Sequence, residues 1–460
     1  MSIFKFGEGD KVSLDEICEL KNNNNRIYTK FNDSKNLQYT AILHRYENCV
    51  LSGNLLRDKN GTIICDGIAT RPDMFYFHNK FDRFPLIDNI SDELYSNTIK
   101  NRKKIGFLFR TIRNTSYPMF VVSCIPLFWY LKKILSYKHI RNQKISLVVN
   151  GINGGWEHPL YCIGSTIQSK FINEVKKEKN MNWKDIHQEI NNKTVLGIEI
   201  KNNIINNILN WKKDNNNNQP IENLEIGFDL SYILDIIKLL TVDYDVEIVI
   251  EDKPLSFEYL YVGAPLCANF CDFFPSLTPN INSIFLDLRN NCLKKKCEIK
   301  KLSSNKCFIT RFDKMYGLTQ IKTGGPKGRR ITNEQEINNC LEGLDFEFVN
   351  ASYYSTLEKF HLFNKANVFI LHEGGGMANM MFFPPNSKII IIANGGWGKL
   401  TNKGSNWNWW EIWNKEHYGH LNHKIYIYKN VSCLSWKGNT DLIARLNDIN
   451  HFQKFLINII

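Results

Sequence analysis

The chain has 460 residues, of which 43% are hydrophobic and 13% aromatic, and its formal net charge is +12. This length exceeds the roughly 250 to 300 residues at which a single hydrophobic core stops growing, so two domains are expected. The apolar content excludes a wholly disordered protein, because burying it can offset the chain entropy lost on folding. The basic charge suits an anionic partner, whether nucleic acid, a membrane surface or a phosphorylated small molecule.

Cysteine usage and the apolar segments bear on the compartment. Twelve cysteines are spread from Cys18 to Cys433, so reduced thiols are expected and we assign no metal site. The stretch 1–21 lacks the apolar core of a secretory signal. The apolar stretch 117–131 contains two prolines and is shorter than the about 20 residues that span a bilayer, which predicts a buried helix. A cytoplasmic protein without a transmembrane segment is therefore expected.

Apolar patterning divides the chain into three predicted parts. Residues 1–100 form a β-rich N-terminal segment, because short runs of alternating apolar and polar residues are separated by turn signals. Residues 101–300 form a first α/β domain, and residues 301–460 a second α/β domain. The clearest elements of the first α/β domain are predicted strands at 146–150 and 246–252 and a helix at 160–178.

The last third of the chain has the most regular alternation of strands and helices. Predicted strands lie at 306–311, 345–350, 367–373 and 388–393, and predicted helices at 333–341, capped by Thr332, and at 355–365. Strands that alternate with helices in this way are typical of a doubly wound parallel sheet.

Three consecutive glycines, Gly374, Gly375 and Gly376, separate the predicted strand 367–373 from an apolar helix. We call these three residues the glycine corner. Without side chains they would expose backbone N–H groups at a helix N-terminus, where the helix dipole adds partial positive charge. A corner of this kind is suited to binding phosphate.

Polar and basic side chains are expected around the same corner. Asn379 lies one turn into the helix, and Arg311 ends the predicted strand 306–311. Ligands of open α/β sheets bind outside the carboxyl ends of strands, so both side chains would share one crevice. Arg329 and Arg330 follow a Gly-Gly-Pro turn and are expected to close over the anion. The arginines and the glycine corner together predict a diphosphate site.

Two linked blocks of sequence resemble glycosyltransferase family 61, which includes the EGF-domain-specific O-linked N-acetylglucosamine transferase and plant wall xylosyltransferases. The first block, 310–337, reads TRFDKMYGLTQIKTGGPKGRRITNEQEI and is similar to the family's strand, variable loop and Arg-x-Ile-x-Asn-Glu. The second, 369–393, reads FILHEGGGMANMMFFPPNSKIIIIA, where the family has His-Gly-Ala-Gly-Leu-Thr-Asn, an apolar helix, a proline and a further strand.

The resemblance implies a two-lobed α/β transferase of the B type that inverts the anomeric centre and needs no metal ion or other cofactor. It places residues 101–300 on the acceptor side and residues 301–460 on the donor side. The expected donor is a nucleotide-sugar, UDP-linked, from which a hexose or pentose moves to a glycan, polysaccharide or glycoprotein acceptor, with no nucleic-acid partner. By the same resemblance, the residues that line the donor site are Arg311, Arg330, Asn333, Glu334, His372, Gly374, Gly376 and Asn379.

The second block departs from the family pattern by one residue, because Glu373 stands between His372 and the glycine corner. Upstream, many members carry a histidine and an aromatic residue before a first-domain helix, whereas the equivalent stretch here, 117–131, has Pro118, Met119 and Phe120 instead. A catalytically silent protein that binds a nucleotide-sugar or a glycan is therefore the alternative to an active transferase.

An inverting transfer also needs a base that takes the proton of the acceptor hydroxyl. Glu157 and His158, in the segment after the predicted strand 146–150, are the favoured candidates, and Asp272 is another. Trp397 is the best candidate for stacking on a base or sugar, with core packing as the other possibility.

Overall fold

The computed structural model describes residues 26–32, 38–52, 55–59, 92–110, 120–136, 140, 142–150, 165–214, 232–250, 254–263, 281–299, 302–310, 312–313, 318–319, 330–331, 333–351, 354–373, 375–393, 418–435 and 443–460. These residues form a mixed α/β protein with two main sheets, each containing parallel strands. Within them no helix is long and apolar enough to cross a membrane.

The first sheet has seven strands in the order β1-β2-β7-β4-β5-β6, with β3 paired to β2. Its strands are β1 (Arg26–Asn32), β2 (Gln38–Ser52), β3 (Leu55–Arg57), β4 (Lys103–Arg110), β5 (Ile145–Asn150), β6 (Val246–Ile250) and β7 (Leu255–Gly263). Strands β7, β4, β5 and β6 run parallel. Strand β2 pairs antiparallel with β7, from Leu43 opposite Gly263 to Leu51 opposite Leu255. The β-rich N-terminal segment predicted from the sequence is therefore an antiparallel extension of the first sheet.

Seven helices of the described residues accompany this sheet. They are α1 (Asp92–Lys100), α2 (Phe128–Leu135), α3 (Ser165–Lys179), α4 (Trp183–Asn191), α5 (Val195–Asp214), α6 (Tyr232–Leu240) and α7 (Ile281–Lys294). A π-helical segment, Phe120–Cys124, and a 3₁₀ turn, Ile125–Leu127, lead into α2. Pro126 lies in the 3₁₀ turn, at the start of the helical stretch where proline is tolerated. The first turn of α2 is buried, which confirms the buried helix predicted there.

The second sheet has five parallel strands in the order β12-β8-β13-β14-β15. Its strands are β8 (Lys306–Ile309), β12 (Glu347–Val349), β13 (Val368–His372), β14 (Lys388–Ile392) and β15 (Lys424–Tyr428). Four of them confirm the strands predicted in the last third of the chain. The doubly wound parallel sheet expected from the alternation is thus present.

Alternating side chains of the second sheet face two separate apolar clusters. Ile370 of β13 joins the cluster that contains α8 (Glu334–Glu342) and the C-terminal helix α10 (Ile449–Ile457). Phe369, its neighbour in the strand, joins the cluster that contains α7 and α9 (Thr356–Phe363). Successive strand residues point to opposite faces, so a strand buried on both faces is apolar throughout. This explains the unbroken apolar runs of β13 and β14.

The helix boundaries follow from local capping. Helix α9 begins after Ser355, whose Oγ accepts from the backbone N–H of Glu358 at 3.3 Å, while the Glu358 carboxylate accepts from the N–H of Ser355 at 2.7 Å. Helix α8 begins after Asn333, one residue beyond the predicted cap Thr332. The helix after the glycine corner is a 3₁₀ helix, Gly375–Phe382, with a tighter turn than an α-helix.

One apolar cluster joins the two halves of the molecule. It contains side chains of β4, β5 and α6 from the first half and of α9, β13 and β14 from the second. Helix α7 lies between them and contacts both α6 and α9. The predicted domain boundary at residue 300 falls just after this helix.

Small β-structures complete the described fold. Strands β9 (Phe312–Asp313) and β10 (Leu318–Thr319) pair with each other, and β11 (Arg330–Ile331), β16 (Val431–Ser435) and β17 (Ile443–Leu446) form a third sheet. Strand β11 runs parallel to β17, with Arg330 opposite Ile443. The C-terminal strands therefore hold the segment that contains the predicted donor-site arginine.

Candidate functional site

The strand order of the second sheet creates a crevice between β8 and β13. From β8 the chain passes through α8 to β12 on one side, and from β13 it passes through the 3₁₀ helix Gly375–Phe382 to β14 on the other side. Connections that leave two neighbouring strands in opposite directions open a crevice at their carboxyl ends. Ile309 of β8 lies opposite Leu371 of β13, so Thr310 and His372 lead into this crevice together.

The glycine corner lies at the same carboxyl edge, directly after β13. Gly376 is partly exposed, and a Cβ added to it would meet no described atom within 4 Å. Gly375 opens the 3₁₀ helix, whose first N–H groups have no carbonyl partner inside the helix. Unpaired N–H groups beside open space can hold an anion. Gly374 lies outside the described residues.

Asn379 is the best-defined polar side chain of the corner. It is 4% exposed, and its Nδ2 donates to the carbonyl of Gly376 at 2.9 Å. Its Oδ1 is buried and has no hydrogen-bond partner among the described residues. The amide nitrogen of Asn379 thus stabilises the glycine corner. The amide oxygen is an acceptor without a partner among the described residues.

A buried carboxylate stands beside the corner, and the sequence interpretation did not select it as a site residue. Glu373 is 2% exposed, and its N–H donates to the carbonyl of Ile392 at 2.9 Å. This hydrogen bond extends the pairing of β13 with β14 one residue beyond His372. His372 itself is half-buried. The signal for Glu373 was present in the sequence, because it is the residue inserted relative to the family pattern.

Asn333 and Arg330 are fixed by the C-terminal strand β17. Nδ2 of Asn333 donates to the carbonyl of Leu446 at 3.1 Å and to Oε2 of Glu336 at 3.2 Å, and the N–H of Leu446 donates to its Oδ1 at 3.1 Å. The Asn333 side chain is 7% exposed. Both of its donors are engaged, so the structure gives Asn333 a role in holding the segment. Glu334 is the first residue of α8.

The other predicted site residues lie outside the described residues: Glu157, His158, Asp272, Arg311, Arg329 and Trp397. In chain order, all of them except Arg329 follow a strand of one of the two main sheets. The segments with Glu157 and His158 and with Asp272 come after β5 and β7, and Arg311 and Trp397 come after β8 and β14. Parallel strands end at one edge of their sheet, so these segments start from the carboxyl edges. Their catalytic and binding roles stay predictions.

The amino edge of the second sheet carries a cluster of three basic residues, Arg289, His420 and His423. Arg289 of α7 is 9% exposed and donates to the carbonyl of Phe383 at 3.0 Å and to Oδ1 of Asn364 at 3.0 Å. Burial lowers the pKa of His423 to about 4, and the neighbouring His420 and Arg289 also lower it. Burial likewise lowers the pKa of His420 to about 4. These groups lie at the sheet edge opposite the glycine corner.

No metal site is visible in the described part of the chain. No group of three or more His, Cys, Asp or Glu side chains there could hold a metal ion.

The family model described as Glycosyltransferase 61 matches residues 233–390. The match begins in α6, includes β6 and β7 of the first sheet and ends in β14 of the second. It also covers the crevice between β8 and β13 and the glycine corner. No curated protein matches the chain. Over residues 233–390, which carry the candidate site, this match confirms the resemblance to glycosyltransferase family 61 that the sequence predicted.

Proposed function

We propose that this glycosyltransferase moves a hexose or pentose from a UDP-linked donor to a glycan, polysaccharide or protein acceptor, inverting the anomeric centre without a metal ion. The observation that carries the proposal is the open space at Gly376, at the carboxyl edge between β8 and β13. A diphosphate can approach the backbone there without meeting a side chain of the described residues. The family match supports sugar transfer as the reaction.

The departing nucleoside diphosphate carries the charge that the site has to stabilise. In the proposed mechanism, N–H groups of the 3₁₀ helix and the guanidinium groups of Arg311, Arg329 and Arg330 hold its oxygens. Backbone N–H groups fixed by the fold need no reorganisation as the bond to the sugar breaks, so they stabilise the transition state more than the ground state.

The acceptor hydroxyl attacks the anomeric carbon from the face opposite the leaving group, which inverts that centre. Its proton passes to a base, for which Glu157, His158 and Asp272 are the candidates. In chain order these residues follow β5 and β7 of the first sheet, so the base and the diphosphate site come from different sheets. The Trp397 ring is proposed to stack on the uracil or the sugar.

Substituting the arginines tests the donor site. Arg311→Ala and Arg330→Ala are each expected to weaken UDP binding by about 1.5 to 3 kcal/mol, because each removes charged hydrogen bonds to phosphate. Calorimetric titration measures the affinity. Arg102→Ala is the matched control, since Arg102 is exposed at the amino end of β4, on the first sheet. Unchanged UDP affinity in both site variants would contradict the assignment.

A catalytically silent protein that binds the nucleotide-sugar is the second candidate. It is favoured because Pro118, Met119 and Phe120 stand where many family members carry a histidine and an aromatic residue. Incubation with a panel of nucleotide-sugars separates the two functions. Slow hydrolysis of a donor indicates an enzyme, whereas thermal stabilisation by UDP without turnover indicates a binding protein.

A further inference from the structure

The two polar atoms of the Asn379 amide have different surroundings. Its Nδ2 is engaged by the carbonyl of Gly376, which points the amide back toward the glycine corner. Exchanging the amide nitrogen and oxygen would place two acceptors 2.9 Å apart, so the hydrogen bond fixes which atom is the oxygen. The atom left over is an acceptor and not a donor.

An unpaired buried acceptor is costly, because folding removes it from water without replacing the lost hydrogen bonds. The Asn379 side chain is 4% exposed, and no described residue donates to its Oδ1. The nearest opening is at Gly376, where a Cβ would meet no described atom within 4 Å. A donor supplied by a ligand at this corner would complete the pairing.

The charge of the ligand group follows from this geometry. A phosphate oxygen carries negative charge and accepts hydrogen bonds, so it is repelled by an amide oxygen. A hydroxyl or an imide N–H donates and is neutral, and it fits an acceptor. The corner therefore combines N–H groups suited to an anion with one acceptor suited to a neutral donor.

We infer that Asn379 is a specificity-determining residue: its nitrogen fixes the glycine corner, and its oxygen accepts one hydrogen bond from a hydroxyl or N–H group attached to the bound diphosphate. The site thereby selects a nucleoside diphosphate or its sugar ester over free pyrophosphate, which has no such neutral donor. This inference rests on the proposed function and defines the ligand group that Asn379 recognises.

Calorimetric titration of the full chain with pyrophosphate, UDP and a UDP-hexose tests the inference. Asn379→Ala is expected to weaken binding of UDP or the UDP-hexose by about 3- to 10-fold, the value of one neutral hydrogen bond. Pyrophosphate affinity is expected to change by less than about twofold. Equal losses for all three ligands would mean that Asn379 acts only through the backbone and would overturn the inference, as would no loss for any of them.

Asn338→Ala is the matched control for folding. Asn338 is 1% exposed in α8, and its Oδ1 also lacks a partner among the described residues, but α8 packs on the C-terminal helix α10. This variant should lose comparable stability and keep the affinities for all three ligands.

Wild-type protein supplies a measurement that needs no substitution. If Asn379 recognises a neutral donor, UDP should bind more tightly than pyrophosphate, and 2′-deoxy-UDP or N3-methyl-UDP should lose part of that advantage, which identifies the hydroxyl or the imide. Equal affinities for pyrophosphate, UDP and both analogues would overturn the inference. Binding of none of these ligands, or of any other nucleotide-sugar, would contradict the proposed function itself, and the inference would fall with it.

Discussion

The carboxyl edges of the two main sheets each carry a glycine, and the two glycines have opposite surroundings. A Cβ on Gly263, the last residue of β7, would lie 2.3 Å from Cδ2 of Tyr130, which is fully buried. A Cβ on Gly376, four residues after β13 ends, would meet no described atom within 4 Å. The first glycine lets an aromatic ring pack against the backbone, and the second leaves the backbone open. A glycine at a strand end thus marks a ligand site only where no side chain fills its place.

Adding one methyl group at the closed glycine should have the largest effect. Gly263→Ala is expected to lower the free energy of unfolding by about 3 kcal/mol, because the Tyr130 ring has to move out of a filled core. Urea unfolding measures this free energy. Gly343→Ala is the control, because a Cβ added at Gly343 would lie 3.5 Å from its nearest neighbour and the φ of Gly343 is −65°. This control variant should be more stable than wild type by about 0.5 kcal/mol. If the Gly263→Ala protein is as stable as wild type, the space at Gly263 is not filled, and the proposed difference between Gly263 and Gly376 is contradicted.

The amino edge of the second sheet is filled with side chains, as is the carboxyl edge of the first sheet at Gly263. Acid is expected to destabilise this amino edge. The pKa of His423 is lowered from 6.5 to about 4, mainly by burial, so the unfolded state binds the proton more readily. The contribution of uncharged His423 to the free energy of unfolding is therefore fully present above pH 6.5 and is lost as the pH falls toward 4. This loss corresponds to about 2 kcal/mol after solvent screening.

The variant His423→Gln keeps an amide donor for the carbonyl of Met380, with which Nε2 of His423 makes a 3.2 Å hydrogen bond. Urea unfolding at pH 7 and at pH 4.5 is expected to show a smaller acid-induced loss for this variant than for wild type. Acid-induced losses of the same size in both proteins would show that His423 is not the group that titrates.

The smallest stability effect is expected at the open glycine. Gly376→Ala should change the free energy of unfolding by less than about 0.5 kcal/mol, because the added methyl group enters open space. UDP affinity should fall by about tenfold, since the methyl group lies where the diphosphate would approach the backbone. A variant that binds UDP as tightly as wild type would place the ligand elsewhere, and a strongly destabilised one would show that the corner is closed.

The sequence predicted the second sheet well because its information is local. Short apolar runs, the capping residue Ser355 and the glycine corner all act within a few positions of the chain. The candidate site was predicted only in part. Asn379 was assigned to the diphosphate, but its nitrogen is engaged with Gly376 and its oxygen is the atom left over. Whether the nitrogen or the oxygen of an amide is available to a ligand depends on tertiary contacts, which the spacing of residues in the sequence does not encode.

Local pattern by itself determined that the last third of the chain alternates strands with helices and turns sharply at three glycines. Tertiary structure decided which strands are neighbours, and so it placed the crevice between β8 and β13. It also decided that Asn333 is held by Leu446, far along the chain, and that Gly263 is covered by Tyr130 while Gly376 is open. The physical reason is that hydrophobic periodicity and turn chemistry act over a few residues, whereas pairing, packing and open space depend on residues brought together from distant parts of the chain.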